Sequence, residues 1–575
     1  MMREKIKALA QKAIVDEFGA ITAPEFSVAP TEDTAHGDYA TNTAMVIAKS
    51  VGIKPMDAAE RIRNAIGADD LIEKIEIAKP GFINFFLSER ALWHPLADIL
   101  ARPDAWGRSD IGNGKTVIVE YFQLNIAKRP HIGHIRSAII GDALKRIFLS
   151  QGYHAVSDTH VGDWGTQFGI LLLGYKEAGA DLHKKEINDD PFGTLEEIYL
   201  AENSRIKEDP DRREKAKQEF ARLEQGDAEN RKIWQWMVDV SMKNLEQSAA
   251  YLGLLPFDEH MGESFYEDKM APIVALVLEK KVAKKTGDGA VIVDLTSEKL
   301  DEAVLIKSDG ASTYLLRDLA TIKYRKEQWH FWKNLYVVDV RQSHHFKQLF
   351  RVAELLGFEG VGESEHISYG FVKLPEGGAI STRGGTGISL EKVLDEAVDK
   401  AAIVIREKNP DLKNADAVAR MVGIGALKYF DLSHHRESDI VFSWDRALSF
   451  EGNTGPYLQY TYARLKSILR KLQILNDKLQ INDEMKLDAG ERALALAILR
   501  LPEAITDALA IYSPHVLAGY LYDLAQIANE FYHSHPVMQE EDEQKKNLRI
   551  ALVSAASATL KRGLNLLGID APEEM

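Results

Sequence analysis

The chain has 575 residues, too many for one hydrophobic core, and sets 71 lysines and arginines against 87 aspartates and glutamates for a net charge of −16. That balance excludes a protein that coats nucleic acid without selectivity, because phosphate binding needs an excess of cations at the contact. No cysteine is present, which excludes disulfides, thiolate catalysis and cysteine-ligated zinc and leads to the expectation of a reducing, cytoplasmic setting.

The start, MMREKIKALAQKAI, reads as an amphipathic helix without the apolar segment of an export signal. No apolar run approaches the roughly 20 residues of a membrane span, so no membrane partner is expected. Residues 1–112 read as a small α+β domain in which IEKIEIAKPGFINFFLS forms two strands around a Pro-Gly turn. DAWGRSDIGNGK is a turn-rich linker.

KTVIVEYF, residues 115–122, is a continuous apolar and β-branched run, the pattern of a strand buried on both faces of a parallel sheet. A loop with two histidines follows, then a helix with Ile135, Ile139, Leu144, Ile147 and Phe148 on one side, then HAVSDTHVGDWG. This β-loop-α-β unit predicts a doubly wound parallel sheet for residues 113–394. A charged helical insertion falls near 180–285, and GAVIVDL, EAVLIKS, NLYVVDV and HISYGFVKL read as further strands. Residues 395–450 form a helical connector, and 451–575 an all-α domain whose helix YLQYTYARLKSILRKLQ exposes Arg464, Lys466, Arg470 and Lys471.

Three stretches carry candidate chemistry. In NIAKRPHIGHIRS, His131 and His134 flank Gly133 where a strand's loop becomes a helix, a place where free backbone N–H groups and the helix dipole favour an anion. A phosphate pocket, a metal site and ordinary helix capping are all compatible with that pattern alone. LPEGGAISTRGGTGISLEKV sets Ser381, Thr382 and Arg383 among five glycines, either a loop that folds over phosphates or a surface connection, and it matches no Walker pattern. HVGDWGTQFG, with Asp163 and Trp164, suits a ligand wall or a structural turn.

Taken together, these stretches resemble the arginyl-tRNA synthetases, a class I aminoacyl-tRNA synthetase family. HIGH at 131–134 is similar to the class's first signature, and ISTRGG at 380–385 lies where the second is expected. GDWGTQFG, STYLLRDLATIKYR, LSFEGNTGPYLQYTYAR, YLYDLAQIANEFYH and LLGIDAPEEM resemble arginyl members in the same order. The likeness runs from about residue 30 to the end of the chain.

The resemblance implies a Rossmann-like catalytic domain, an N-terminal domain that meets the elbow of the tRNA, and a helical anticodon-binding domain. The implied reaction joins L-arginine to ATP, with Mg2+, as an adenylate and passes the arginyl group to arginine tRNA. His131, His134, Lys128 and Arg383 are then catalytic, and Gly133, Ser381 and Thr382 hold ATP with the histidines. Tyr314 and Asp318 match the pair that binds the arginine side chain, while Asn125, Glu120, Gln342 and Asp163 occupy its other amino-acid positions. No resident metal is implied, and the chain is expected to act as a monomer.

Two departures from the family pattern stand out. Ala379 and Gly384 replace lysines of the second signature, which shifts the expected cation to Lys128, and FQLN lacks the proline usual before the asparagine. The rival readings are another HIGH-type nucleotidyltransferase and a tRNA-binding paralogue without catalysis. The added domains weigh against the first, and Lys128, His131, His134 and Asp318 against the second.

Overall fold

A computed structural model describes residues 1–19, 25–31, 33–178, 189–373, 389–472 and 485–575. Near the start, strands β1 (Val28–Pro30), β2 (Tyr39–Thr41), β3 (Ile72–Ala78) and β4 (Phe82–Leu87) form an antiparallel sheet in the order β1-β2-β4-β3. Helices Met2–Phe18, Thr43–Val51 and Pro55–Ile66 bury Ile6, Ile14, Ile47 and Ile62 in the same core as Ile83 and Phe85 of β4.

The next strands, β5 (Thr116–Glu120) and β6 (His154–Asp158), pair in parallel, and helix Ile132–Ser150 forms the crossover between them. Val117, Ile118 and Val119 have no exposed surface, which explains the unbroken apolar run. The insertion follows as helices Pro191–Glu208, Asp211–Glu224 and Ala228–Tyr251. GAVIVDL and EAVLIKS do not join the parallel sheet. With β7 (Lys284–Lys285) they make a separate antiparallel sheet as β8 (Val291–Val293) and β9 (Ala303–Ile306). The link between them is too short for the helical crossover that parallel pairing requires.

β10 (Lys333–Asp339) and β11 (Ser364–Tyr369) complete the parallel sheet in the order β11-β10-β5-β6. The chain moves to one side of β5 with β6 and to the other with β10, so the crevice outside the carboxyl ends of β5 and β10 is a topological switch point. HISYGFVKL splits at Gly370. A side chain there would meet the Ser438 carbonyl at 2.6 Å, and beyond it β12 (Val372–Lys373) pairs with β13 (Ile440–Val441) instead.

The rest is helical. Helix Glu543–Leu566 buries residues on every side, from Leu548 and Ile550 to Leu560 and Leu564, and so runs through the middle of its bundle. The N-terminal unit docks on this bundle through ion pairs of Arg3 with Asp507 at 2.7 Å and of Arg492 with Asp38 at 2.6 Å. No described helix is long and apolar enough to cross a membrane.

Two features of the cationic helix Gly455–Lys471 differ from its sequence reading. Lys466 pairs with Glu573 at 3.3 Å and Arg470 with Glu574 at 2.7 Å, so the acidic end of the chain lies along it. Arg464 covers the Tyr532 ring rather than standing clear.

The connector reaches the crossover helix through one buried ion pair, Arg136 Nε to Asp431 Oδ2 at 2.8 Å, with both side chains at most 5% exposed. Removing one partner strands the other charge away from water. Arg136→Ala should therefore lower the stability of this unit by roughly 3–5 kcal/mol, whereas exchanging both residues for leucine should destabilise far less. Urea titration of the three proteins, followed by tryptophan fluorescence, checks the contrast.

Candidate active site

The strand register sets the site. Tyr336, Glu120 and Asp158 stand side by side across β10, β5 and β6, at the carboxyl ends of β5 and β6. Residues level with one another on adjacent strands point to the same face, so two buried carboxylates share one environment. Arg325, fully buried on helix Tyr314–Trp329, neutralises them: one guanidinium nitrogen lies 2.7 Å from both Glu120 Oε2 and Asp158 Oδ2. Its other arm donates to the Asn334 side chain at 3.3 Å, and the guanidinium covers the Tyr336 ring at 5.4 Å.

The loops leaving these strands are strained. Phe122 and Ala127 after β5, and His160 after β6, have φ of 60°, 58° and 40°, conformations that non-glycine residues rarely adopt. Such strain persists only where the surroundings fix it, and here it clusters around one crevice. Asn125 and Gly162 bridge the two loops.

His131 is the N-cap of helix Ile132–Ser150, and the two histidines cap it reciprocally. His131 Nδ1 accepts the Gly133 N–H at 3.0 Å, and His134 Nδ1 accepts the His131 N–H at 3.1 Å. Their rings lie 3.8 Å apart. A Cβ on Gly133 would sit 2.7 Å from the His131 ring, so glycine is what lets that ring fold back. Burial, aided by the nearby Arg341, lowers the His131 pKa to about 4. Burial, reinforced by His131 and Lys128, lowers that of His134 to about 3.

Both rings are therefore neutral at pH 7. Because each Nδ1 is an acceptor, each ring carries its proton on Nε2. Capping and anion binding are not alternatives here: the cap fixes the tautomer that turns each histidine into a donor. Among the described residues no group of three or more histidines or acids gathers as metal ligands.

On the other side of the crevice, Asp318 lies one turn into its helix. His345 Nε2 is 2.6 Å from its Oδ2, and His160 Nε2 is 3.7 Å from its Oδ1. Burial disfavours a charged His160, yet Glu120, Asp318 and Asp158 outweigh it and raise the pKa. Glu263 is pushed up to about 7 by burial, against the pull of Arg317, whose guanidinium lies 3.1 Å away. Tyr314 is 65% exposed at the helix start, and Gln342 is exposed on the 3-10 turn that follows β10.

Two candidates have other work. The Glu120 carboxylate is taken up by Arg325 and by the Gln123 amide at 3.1 Å, so its oxygens are engaged inside the protein. Asp163 accepts the backbone N–H of Ser264 at 2.8 Å and its hydroxyl at 2.6 Å, pinning the loop after β6 to the end of the insertion. Lys128 is exposed beside the histidines, its ammonium 5.4 Å from the Tyr199 ring. Arg383, Ser381 and Thr382 lie outside the described residues, but Ser389, which follows them, pairs with His131 as a β-bridge.

Residues that the sequence reading missed are Arg325, His160, Glu263, His345 and Arg341. Arg341, just after β10, is close enough to act on His131 by charge and is held in a fork by Asp339 at 2.9 and 2.8 Å. The legible signal was position: His160 and Arg341 both follow the carboxyl end of a parallel strand. Arg325 and Glu263 gave no such signal, since a basic residue in a helix and an acid in a loop are ordinary.

The family pattern for tRNA synthetases class I (R), catalytic domain, matches residues 96–444. The chain belongs to the arginyl-tRNA synthetases. The arginyl tRNA synthetase N terminal domain matches residues 2–87 of this synthetase, and the DALR anticodon binding domain residues 458–575. The arginine–tRNA ligase of Fusobacterium nucleatum is 39% identical over 95% of this chain and 94% of its own. That of Lactococcus lactis is 39% identical over 100% of this chain and 96% of its own. The Thermus thermophilus arginyl-tRNA synthetase structure superposes with a TM-score of 0.84 at 27% identity, over the whole of both chains.

The histidine cap makes a pH prediction. An unfolded histidine gains its proton near 6.5, whereas the folded rings wait until about 4 and about 3. The stability they contribute is therefore complete above 6.5 and is lost as the pH falls through those lower values. Nitrogen NMR of labelled histidine should find both side chains as the Nε2–H tautomer, without titration between about pH 8 and pH 5. His131→Asn should make the unfolding free energy less steep in pH between about 6.5 and 4.

Proposed function

We infer that this chain is an arginine–tRNA ligase. It joins L-arginine to ATP as arginyl-adenylate and transfers the arginyl group to the 3′-terminal adenosine of arginine tRNA. The observation that carries the reading is a crevice with two faces in a chain of this family: two neutral imidazoles at a helix N-terminus on one, and a carboxylate pocket around Asp318 on the other.

In the first step a carboxylate oxygen of arginine attacks the α-phosphorus of ATP. The bond to the bridging oxygen of the β-phosphate breaks, and pyrophosphate leaves with the electron pair. In the second, a ribose hydroxyl of the tRNA attacks the arginyl carbonyl carbon, and AMP and a proton depart. Little covalent work falls to the protein, so its task is to position reactants and stabilise charge. His131 and His134 donate Nε2–H to the phosphates, Gly133 and the helix N-terminus add backbone donors and dipole, and Lys128 and Arg383 add cations. Ser381 and Thr382 are assigned to ATP binding with them.

Asp318 takes the substrate guanidinium as a fork, with Tyr314 beside it, and Asn125 and Gln342 face the amino-acid end. Glu120 acts through Arg325 and His160, by charge, and Asp163 by holding the wall. Mg2+ enters with ATP as part of the substrate. The N-terminal residues 1–112 meet the tRNA elbow and residues 451–575 its anticodon end, with 113–394 catalysing and 395–450 joining them. The chain works as a cytoplasmic monomer.

The test is arginine-dependent exchange of pyrophosphate into ATP, with and without arginine tRNA and with lysine as the control amino acid. Arginine should support exchange and lysine should not, and tRNA should start or raise it. His134→Ala should lower the rate by about 100-fold or more, the size expected for one phosphate-facing donor, while tRNA binding persists. A folded protein that binds tRNA yet exchanges with neither amino acid would overturn the reading.

A further inference from the structure

The carboxylate of Asp318 is not free to turn. It sits one turn into helix Tyr314–Trp329, and the nitrogen 2.6 Å from its Oδ2 belongs to His345, on the first turn of a different helix, Ser343–Leu356. That second helix begins at Ser343, directly after the 3-10 turn Val340–Gln342 at the carboxyl end of β10. The side chain of His345 thus ties the two helices together at one carboxylate oxygen.

A guanidinium is a rigid planar fork, and it binds a carboxylate through two parallel hydrogen bonds only when the carboxylate plane is fixed. Aspartate has two rotatable bonds and no means of fixing its own plane. His160 stands 3.7 Å from Oδ1, beyond hydrogen-bond length. The bond from His345 is the one short contact that sets the orientation of Asp318 among the described residues.

We propose that His345 is a positioning residue for arginine selection, holding Asp318 in the plane that the substrate guanidinium requires. The proposal rests on the reading of Asp318 as the guanidinium partner. His345 touches neither substrate nor reacting atoms. It acts through Asp318 alone, so its loss weakens arginine binding and leaves the chemistry of adenylate formation in place.

The test measures pyrophosphate exchange with arginine tRNA present, varying arginine and ATP separately. His345→Ala should raise KM for arginine about tenfold, the scale of one hydrogen bond to a charged group, with kcat within about twofold and KM for ATP unchanged. His345→Gln, whose amide N–H reaches where Nε2 does, should restore most of the loss. Asp318→Asn should raise KM for arginine by itself, and adding His345→Ala to it should raise KM little further.

If Asp318→Asn leaves KM for arginine unchanged, the pocket reading fails and the proposal with it. If Asp318→Asn raises KM but His345→Ala does not, or lowers kcat and melting temperature instead, the pocket stands and the positioning role is wrong. Additive effects in the double variant would mean that His345 meets arginine directly, which also overturns it.

Discussion

A single guanidinium holds the crevice together. The parallel register brings Glu120 and Asp158 level on neighbouring strands, and both are buried where two like charges cannot stand uncompensated. Arg325 reaches both from the helix behind and also ties in Asn334 and Tyr336. Its burial alone would be prohibitive, and the two carboxylates alone would be too. Together they form a neutralised network that is strongly unfavourable to break at any member. The ends of β5, β6 and β10, and the strained loops that leave them, take their positions from it.

From that network the two faces of the crevice acquire opposite electrostatics with the same residue type. His131 and His134 lie away from acids and near Arg341 and Lys128, and burial keeps them neutral. His160 is surrounded instead by the carboxylates of Glu120, Asp318 and Asp158, which raise its pKa. A neutral ring offers an N–H donor without adding charge, whereas a histidine drawn toward protonation tempers the carboxylates around it. Separation of titration behaviour by environment is how one fold assigns different roles to like side chains.

The fold was legible where one pattern had one structural solution. KTVIVEYF, short and β-branched, read as a strand buried on both faces, and the segment after HIGH read as a helix, although the structure buries that helix on every side and not on the one apolar side expected. The antiparallel pairing of GAVIVDL with EAVLIKS was not legible from the strands themselves. It followed from the short link between them, which leaves no room for a crossover. In the site, His131 and His134 could be named because a strand end that becomes a helix start marks a ligand position, whereas Lys128 and Asp318 were named only through the resemblance to the family. The reading of Glu120 and Asp163 as substrate contacts missed that each is consumed by an internal partner, Arg325 and Ser264, more than a hundred residues away. Partnerships across that span depend on topology, and local spacing does not encode them.

The acidic end of the chain bears on how the C-terminal domain meets nucleic acid. Lys466 and Arg470 are already paired with Glu573 and Glu574. A phosphate arriving at this helix would have to displace a carboxylate, so the gain would be one anion exchanged for another. Exposed pairs of this kind are individually weak and yield readily. The charge that this helix presents to any polyanion is therefore set by four residues and not by the net charge of the chain.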